Sequence, residues 1–112
     1  MPIQWKPQQR KRIEKILNDH PIDSGECGEA AEKILPIAQV LDPGSHRIKI
    51  TPKGHYRYVC PKIPLTEPWF NHTATAVTLH YVDVLTGAKG TEKSAYWEEH
   101  WKHPECLEFE KS

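Results

Sequence analysis

The turn Asp42-Pro43-Gly44 separates two stretches with different hydrophobic periods, and this change limits the fold more than any other feature of the chain. Before it, apolar residues recur at helical spacing. Ile13, Ile16 and Leu17 line one side of a segment running from Lys6 to Asp19 and closed by Pro21. From about Ser24, Ala30, Ala31, Ile34, Leu35, Ala38 and Leu41 form a second stripe. Pro36 should kink that helix or end its first part, because proline removes an internal hydrogen bond.

After the turn the period falls to two. Arg47-Ile48-Lys49-Ile50 and, beyond Pro52-Lys53-Gly54, His55-Tyr56-Arg57-Tyr58-Val59 read as two strands joined by a short turn. Pro61, Pro64 and Pro68 make the approach to Trp69 an irregular loop suited to the border of a cleft. Phe70 to Leu79 and His80 to Leu85 are rich in Thr, Val and Ala and end at Thr86-Gly87, as strands would. Thr91 can cap a last helix through about Trp101, with Tyr96, Trp97 and Trp101 on its apolar side and Pro104 as its stop.

The expected fold is therefore α+β: N-terminal helices packed on a small antiparallel sheet of about four strands, then a closing C-terminal helix. A length of 112 residues suits one domain, spanning 1–112, around one core.

Composition narrows the function. With 15 Lys and Arg against 15 Asp and Glu the charge cancels, so no general attraction to nucleic acid is expected. The basic run Lys6, Arg10, Lys11, Arg12 and Lys15 is interleaved with Glu14 and Asp19 and reads as a solvated helix face. No apolar stretch has bilayer length and the start lacks a signal-peptide pattern, so neither a membrane partner nor an export address is expected. Three widely spaced cysteines, Cys27, Cys60 and Cys106, leave at least one thiol free.

Cys27 is placed for chemistry. Asp23 or Ser24 can cap the second helix and Glu26 or Glu29 suits its positive end, which puts Cys27 in the first turn. Unpaired N–H groups there stabilise a thiolate. Gly25 and Gly28 leave room for a substrate carbonyl to approach the sulfur and the backbone donors. A lone cysteine is more often a small buried residue.

The stretch Asn71-His72-Thr73-Ala74-Thr75-Ala76-Val77 changes that balance. Alternation puts His72, Ala74 and Ala76 on one face, and a reversal near Thr78 and Leu79, without Gly or Asn, returns Asp83 beside His72. His72 would then take the thiol proton and Asp83 would fix the imidazole, with His80 as the competing base.

The block Ser24-Gly25-Glu26-Cys27-Gly28-Glu29-Ala30-Ala31, then Asn71-His72, then His80-Tyr81-Val82-Asp83-Val84-Leu85-Thr86-Gly87, then a Trp-containing helix, follow one another in order. From about Asp23 to Trp101 the chain resembles the papain-fold toxin domains at the C-terminal ends of bacterial polymorphic toxins. The resemblance implies a papain-like cysteine protease fold with Cys27 as nucleophile, His72 as base and Asp83 as orienting acid. It also implies a protein substrate, a cognate immunity protein as partner, and delivery as an effector into the target-cell cytoplasm.

Peptidase, glutamine deamidase and transglutaminase all stay open, since transglutaminase-like domains share the Cys, His, Asp order. No cofactor and no metal is expected. Papain-type peptidases place a glutamine shortly before the cysteine, whereas Gln8 and Gln9 lie too far back, leaving Asn18, His20 or a backbone N–H to serve. Two rivals come from other classes. His100, His103 and Cys106, with Cys60, suggest a zinc site, interrupted by Pro104. Trp5, Trp69, Phe70 and Trp97 suggest a non-catalytic interaction module.

Overall fold

In the computed structural model, which describes residues 1–112 apart from the side chain of Asp23, the helical period of the first stretch becomes two helices, α1 (Pro7–Asp19) and α2 (Cys27–Leu41). Pro7 opens α1, where its missing N–H would have had no partner. Pro36 does not end α2. Pro36 and Glu32 are both exposed, so the carbonyl left unpaired one turn earlier faces water. Ile37 and Ala38, just beyond, are buried and hold the helix on its course.

The period-two half supplies β1 (His46–Pro52), β2 (His72–Val77), β3 (His80–Val82), β4 (Thr91–Glu92) and β5 (Leu107–Lys111). They form one antiparallel sheet in the order β4-β3-β2-β1-β5. A third helix, α3 (Lys93–His100), precedes β5. The chain is thus an α+β domain with, among the described residues, three α-helices and a five-stranded antiparallel sheet.

The centre of the sheet is covered on both faces. Ile13, Leu17, Ile34, Ile37 and Ala38 of the first two helices pack with Val77 and Val82. Opposite, Ala74 and Ala76 of β2 cluster with Ile48, Ile50, Tyr81, Tyr96 and Trp101. Small residues on that face leave room for Trp101 and Tyr96, the bulkiest fully buried side chains. The chain start is fastened alongside: Ile3 donates its N–H to the Lys89 carbonyl at 2.9 Å. Gly90, at φ +71°, is required here, because a Cβ on it would lie 2.6 Å from Ile3 Cδ1.

Three expectations are corrected. His55 to Val59 is not a strand of the sheet; only Val59 bridges to Trp69, and the free edge of β1 is taken by β5, which the sequence reading did not foresee. Thr91 does not cap α3, because Thr91–Glu92 is paired with β3 and the Thr91 hydroxyl meets His100 Nε2 at 2.8 Å. Ser24 caps a tighter turn instead of α2. Its hydroxyl donates to the Pro21 carbonyl at 2.6 Å and accepts from the Glu26 N–H at 3.2 Å. The proposed cap by Asp23 falls on a side chain outside the described residues.

The β2–β3 reversal uses Thr78 at φ 53°, a strained conformation for a β-branched residue. Its stabiliser is remote in sequence. Asp42 Oδ2 accepts the Thr78 N–H at 2.8 Å while Oδ1 accepts the Gly44 N–H at 3.0 Å, so one carboxylate holds both turns. Those two donors hold the Asp42 carboxyl below its ordinary range. Replacing Asp42 by Ala should lower the urea midpoint slightly at pH 7. As the native carboxyl is depressed, the difference from wild type should vanish as the pH falls through its native value. Urea melts at two pH values check this.

Candidate active site

Cys27 is the first residue of α2, and Gly25 just before it adopts φ +71° as the chain turns into the helix. A Cβ added to Gly25 or Gly28 would meet nothing within 4 Å, so the space beside the thiol is open. A cleft of about 300 Å³ lies there. It is walled by Gly25, Glu26 and Cys27 on the helix side and by the 66–71 loop and Thr73 across from it. The cleft therefore sits at the N-terminus of α2.

His72 is the first residue of β2 and is fully buried. Asp83 follows β3 directly; since Val82 pairs with Thr75, alternation carries the Asp83 side chain to the face of Ala74 and His72. His72 Nε2 lies 2.9 Å from Asp83 Oδ2. The other ring nitrogen, Nδ1, is buried and without a regular hydrogen-bond partner among the described residues, and the neighbour that reaches the ring is the Cys27 thiol. The structure thus brings Cys27, His72 and Asp83 into one row.

It does not bring His80 there. His80 is spent on the chain start, with Nδ1 3.0 Å from the Thr78 hydroxyl and Nε2 2.5 Å from the Met1 carbonyl.

Electrostatics follow from this row. Burial opposes ionisation of Cys27, but the hydrogen bond and charge of His72, with the backbone N–H groups of Thr73 and Gly28, outweigh it and hold the thiol below its ordinary value. Burial likewise opposes protonation of His72, yet the hydrogen bonds and charges of Asp83 and Cys27 raise it to about 9. Asp83 is disfavoured by burial and still held below the ordinary carboxyl range by His72, Tyr96 and the Thr86 N–H. Each contact in the row thus favours the charged form of its partner, the thiolate beside the imidazolium and the imidazolium beside the carboxylate.

Residues that the sequence reading did not assign to the site hold it in place. Asp83 Oδ1 accepts the N–H groups of Leu85 at 2.9 Å and Thr86 at 3.0 Å. The Thr86 hydroxyl accepts the Asp83 N–H at 3.0 Å, a reciprocal pairing like a helix capping box. The spacing Asp83-x-x-Thr86-Gly87 was the available signal for this. Tyr96 donates its hydroxyl to Asp83 Oδ2 at 2.5 Å. Trp69 stacks on the His72 ring at 4.9 Å and 4°, and Trp101 meets it edge-on at 5.5 Å. A cation between such rings is favoured.

The side-chain candidates for a glutamine substitute do not serve. Asn18 is exposed and away from the cleft lining. His20 lines the cleft, but its Nδ1 is 3.1 Å from Glu26 Oε1 and its Nε2 is 2.9 Å from Lys33 Nζ. Backbone donors at Gly28 and Thr73 are what face the sulfur.

The rivals fare differently. Among the described residues, His100, His103, Cys106 and Cys60 do not gather at ligand range; His20, Glu26 and Glu29 do, with the first two already bonded to each other. Of the four aromatic anchors, Phe70 is exposed, whereas Trp5, Trp69 and Trp97 are half-buried against the cores. Trp5 also donates its indole N–H to the Ala88 carbonyl.

Fold and site together define a small α+β domain with a thiol, an imidazole and a carboxylate in line at the N-terminus of a helix. Compared with family models, curated proteins and solved structures, the chain matches none.

Proposed function

We propose that the chain is a papain-like cysteine hydrolase, with Cys27 as nucleophile, His72 as proton carrier and Asp83 as orienting acid, acting on amide bonds of a protein substrate. The observation that supports it most is the buried imidazole with Nε2 bonded to Asp83, Nδ1 without a regular partner among the described residues and the Cys27 thiol acting on the ring, beside an open cleft. A histidine kept only for packing would not leave a buried nitrogen unmatched next to a thiol.

In this reading the Cys27 thiolate attacks the amide carbonyl carbon, and the oxygen that becomes negative is met by backbone N–H groups at the start of α2. The imidazolium of His72 gives its proton to the departing nitrogen as the C–N bond breaks, leaving a thioester on Cys27. Neutral His72 then takes a proton from water as the water oxygen attacks the thioester carbon, and cleavage of the C–S bond releases the acid and leaves the Cys27 thiolate beside the His72 imidazolium, restoring the ion pair. With a peptide nitrogen leaving, the reaction is proteolysis; with a glutamine side chain it releases ammonia; with an amine in place of water it is transamidation.

The order of helix, nucleophile and later sheet also supports a papain-like arrangement. A role as a toxin or effector in a target cell, blocked by a cognate immunity protein, rests on the resemblance of the quoted motifs. Expression in bacteria should slow growth for the wild-type chain and not for Cys27→Ala. Proteome mass spectrometry of the two cultures should show new protein N-termini, or glutamine converted to glutamate, only with the wild type. Equal growth inhibition by both forms would remove covalent catalysis from the reading.

A further inference from the structure

Tyr96 has no part in the triad, yet it is fully buried and its one polar atom is aimed at the triad. It sits in the first half of α3, packed edge-on to Tyr81 at 4.9 Å and Trp97 at 5.1 Å. A phenylalanine would make the same ring contacts. The hydroxyl is therefore the feature to explain.

It donates to Oδ2 of Asp83, the same oxygen that faces His72 Nε2, while Oδ1 is filled by two backbone N–H groups. We propose that Tyr96 is a positioning residue of this site: by sharing Asp83 Oδ2 with His72, its hydroxyl sets how strongly the imidazole keeps its proton. The role rests on the triad proposed above and deepens it.

Tyr96 and His72 compete for a single oxygen. A donor on Oδ2 withdraws charge from the atom that stabilises imidazolium, so the imidazolium becomes a better acid toward the leaving nitrogen. Without the hydroxyl, Oδ2 serves His72 alone and holds the proton longer. Burial and the neighbouring Asp83 charge both oppose loss of the phenol proton, which keeps Tyr96 a donor across the working pH range. Thiol ionisation is a different step. The imidazolium is present on both sides of it, so the Tyr96 hydroxyl leaves it nearly unchanged.

The test follows the His72 ring nitrogens by NMR across pH in the wild type, Tyr96→Phe and Tyr81→Phe, and separately measures Cys27 alkylation by iodoacetamide. Tyr81 is buried against Tyr96 but, among the described residues, makes no hydrogen bond to the Asp83 carboxylate, so it controls for lost packing. In Tyr96→Phe the His72 midpoint should rise by about one pH unit, the usual size for one charge-assisted hydrogen bond. The acid limb of Cys27 alkylation should stay in place, and Tyr81→Phe should move neither.

A His72 midpoint unmoved in Tyr96→Phe, or moved equally in Tyr81→Phe, would reduce Tyr96 to packing. If Tyr96→Phe does not fold, fluorotyrosine at position 96, a stronger donor, should shift the midpoint down; an unmoved midpoint overturns the proposal. An ordinary, unreactive Cys27 would sink the hydrolase reading instead, since the His72 titration reads the Tyr96 effect without a working nucleophile.

Discussion

At pH 6, iodoacetamide should modify Cys27 roughly 10 to 100 times faster than Cys60 or Cys106. An ordinary thiol has a pKa of about 8.5 and is almost wholly protonated there. Cys27 gains thiolate from His72 and from two backbone donors, and loses part of that advantage because a less basic thiolate is a weaker nucleophile. Access works the other way, since Cys60 is exposed and Cys27 only half so, which means that a faster Cys27 must reflect ionisation. His72→Ala should move the alkylation profile to higher pH, because it removes the cation beside the sulfur, whereas His80→Ala should change it little. Three thiols reacting alike would reduce Cys27 to an ordinary cysteine.

Replacing Asp83 by Ala should have the largest effect on stability, about 3 to 5 kcal/mol near neutral pH. The change leaves His72 without its anion and strands two donors, the Tyr96 hydroxyl and the Leu85 N–H, while the Thr86 N–H keeps only its longer bond to the residue 83 carbonyl at 3.3 Å. Such a loss is a large share of the 5 to 15 kcal/mol typical of a domain.

The pH dependence has a definite sign. Asp83 is depressed, so its contribution is present above the ordinary carboxyl value of 3.8 and is lost as pH falls through the native value. His72 is raised, so its contribution is complete below 6.5 and is lost as pH rises from there through about 9. Wild type should therefore outdo Asp83→Ala most between pH 3.8 and 6.5, with the gap narrowing on both sides. Urea melts across that range test this, and a gap independent of pH would mean that the carboxylate is structural and uncoupled from the imidazole.

Much of the site could be read in the chain because it depends on local pattern. A helical stripe with acidic residues at its head put Cys27 in a first turn even though the expected Ser24 cap serves another turn, and strict alternation put His72 on the face that Asp83 reaches. What escaped depends on partners distant in sequence. The Thr78 reversal carries no glycine because Asp42, 36 residues earlier, supplies the missing bond. His55 to Val59 alternates as a strand would, but alternation says nothing about who occupies the edge, and Leu107–Lys111 takes it. Tyr96 belongs to the apolar side of α3 whether or not its hydroxyl has a task, so periodicity could place the ring and not explain the oxygen.

The three residues of the row are unevenly spaced along the chain. His72 and Asp83 are 11 residues apart in one hairpin, an inexpensive loop to close. Cys27 must come from 45 residues before His72 and joins only when α2 docks on the sheet. Without that docking the thiol has no imidazole beside it. An unfolded chain therefore lacks the charge pairing that lowers the Cys27 thiol. Fraying of the first turn of α2 would separate the thiol from the imidazole while the His72–Asp83 pair stays intact.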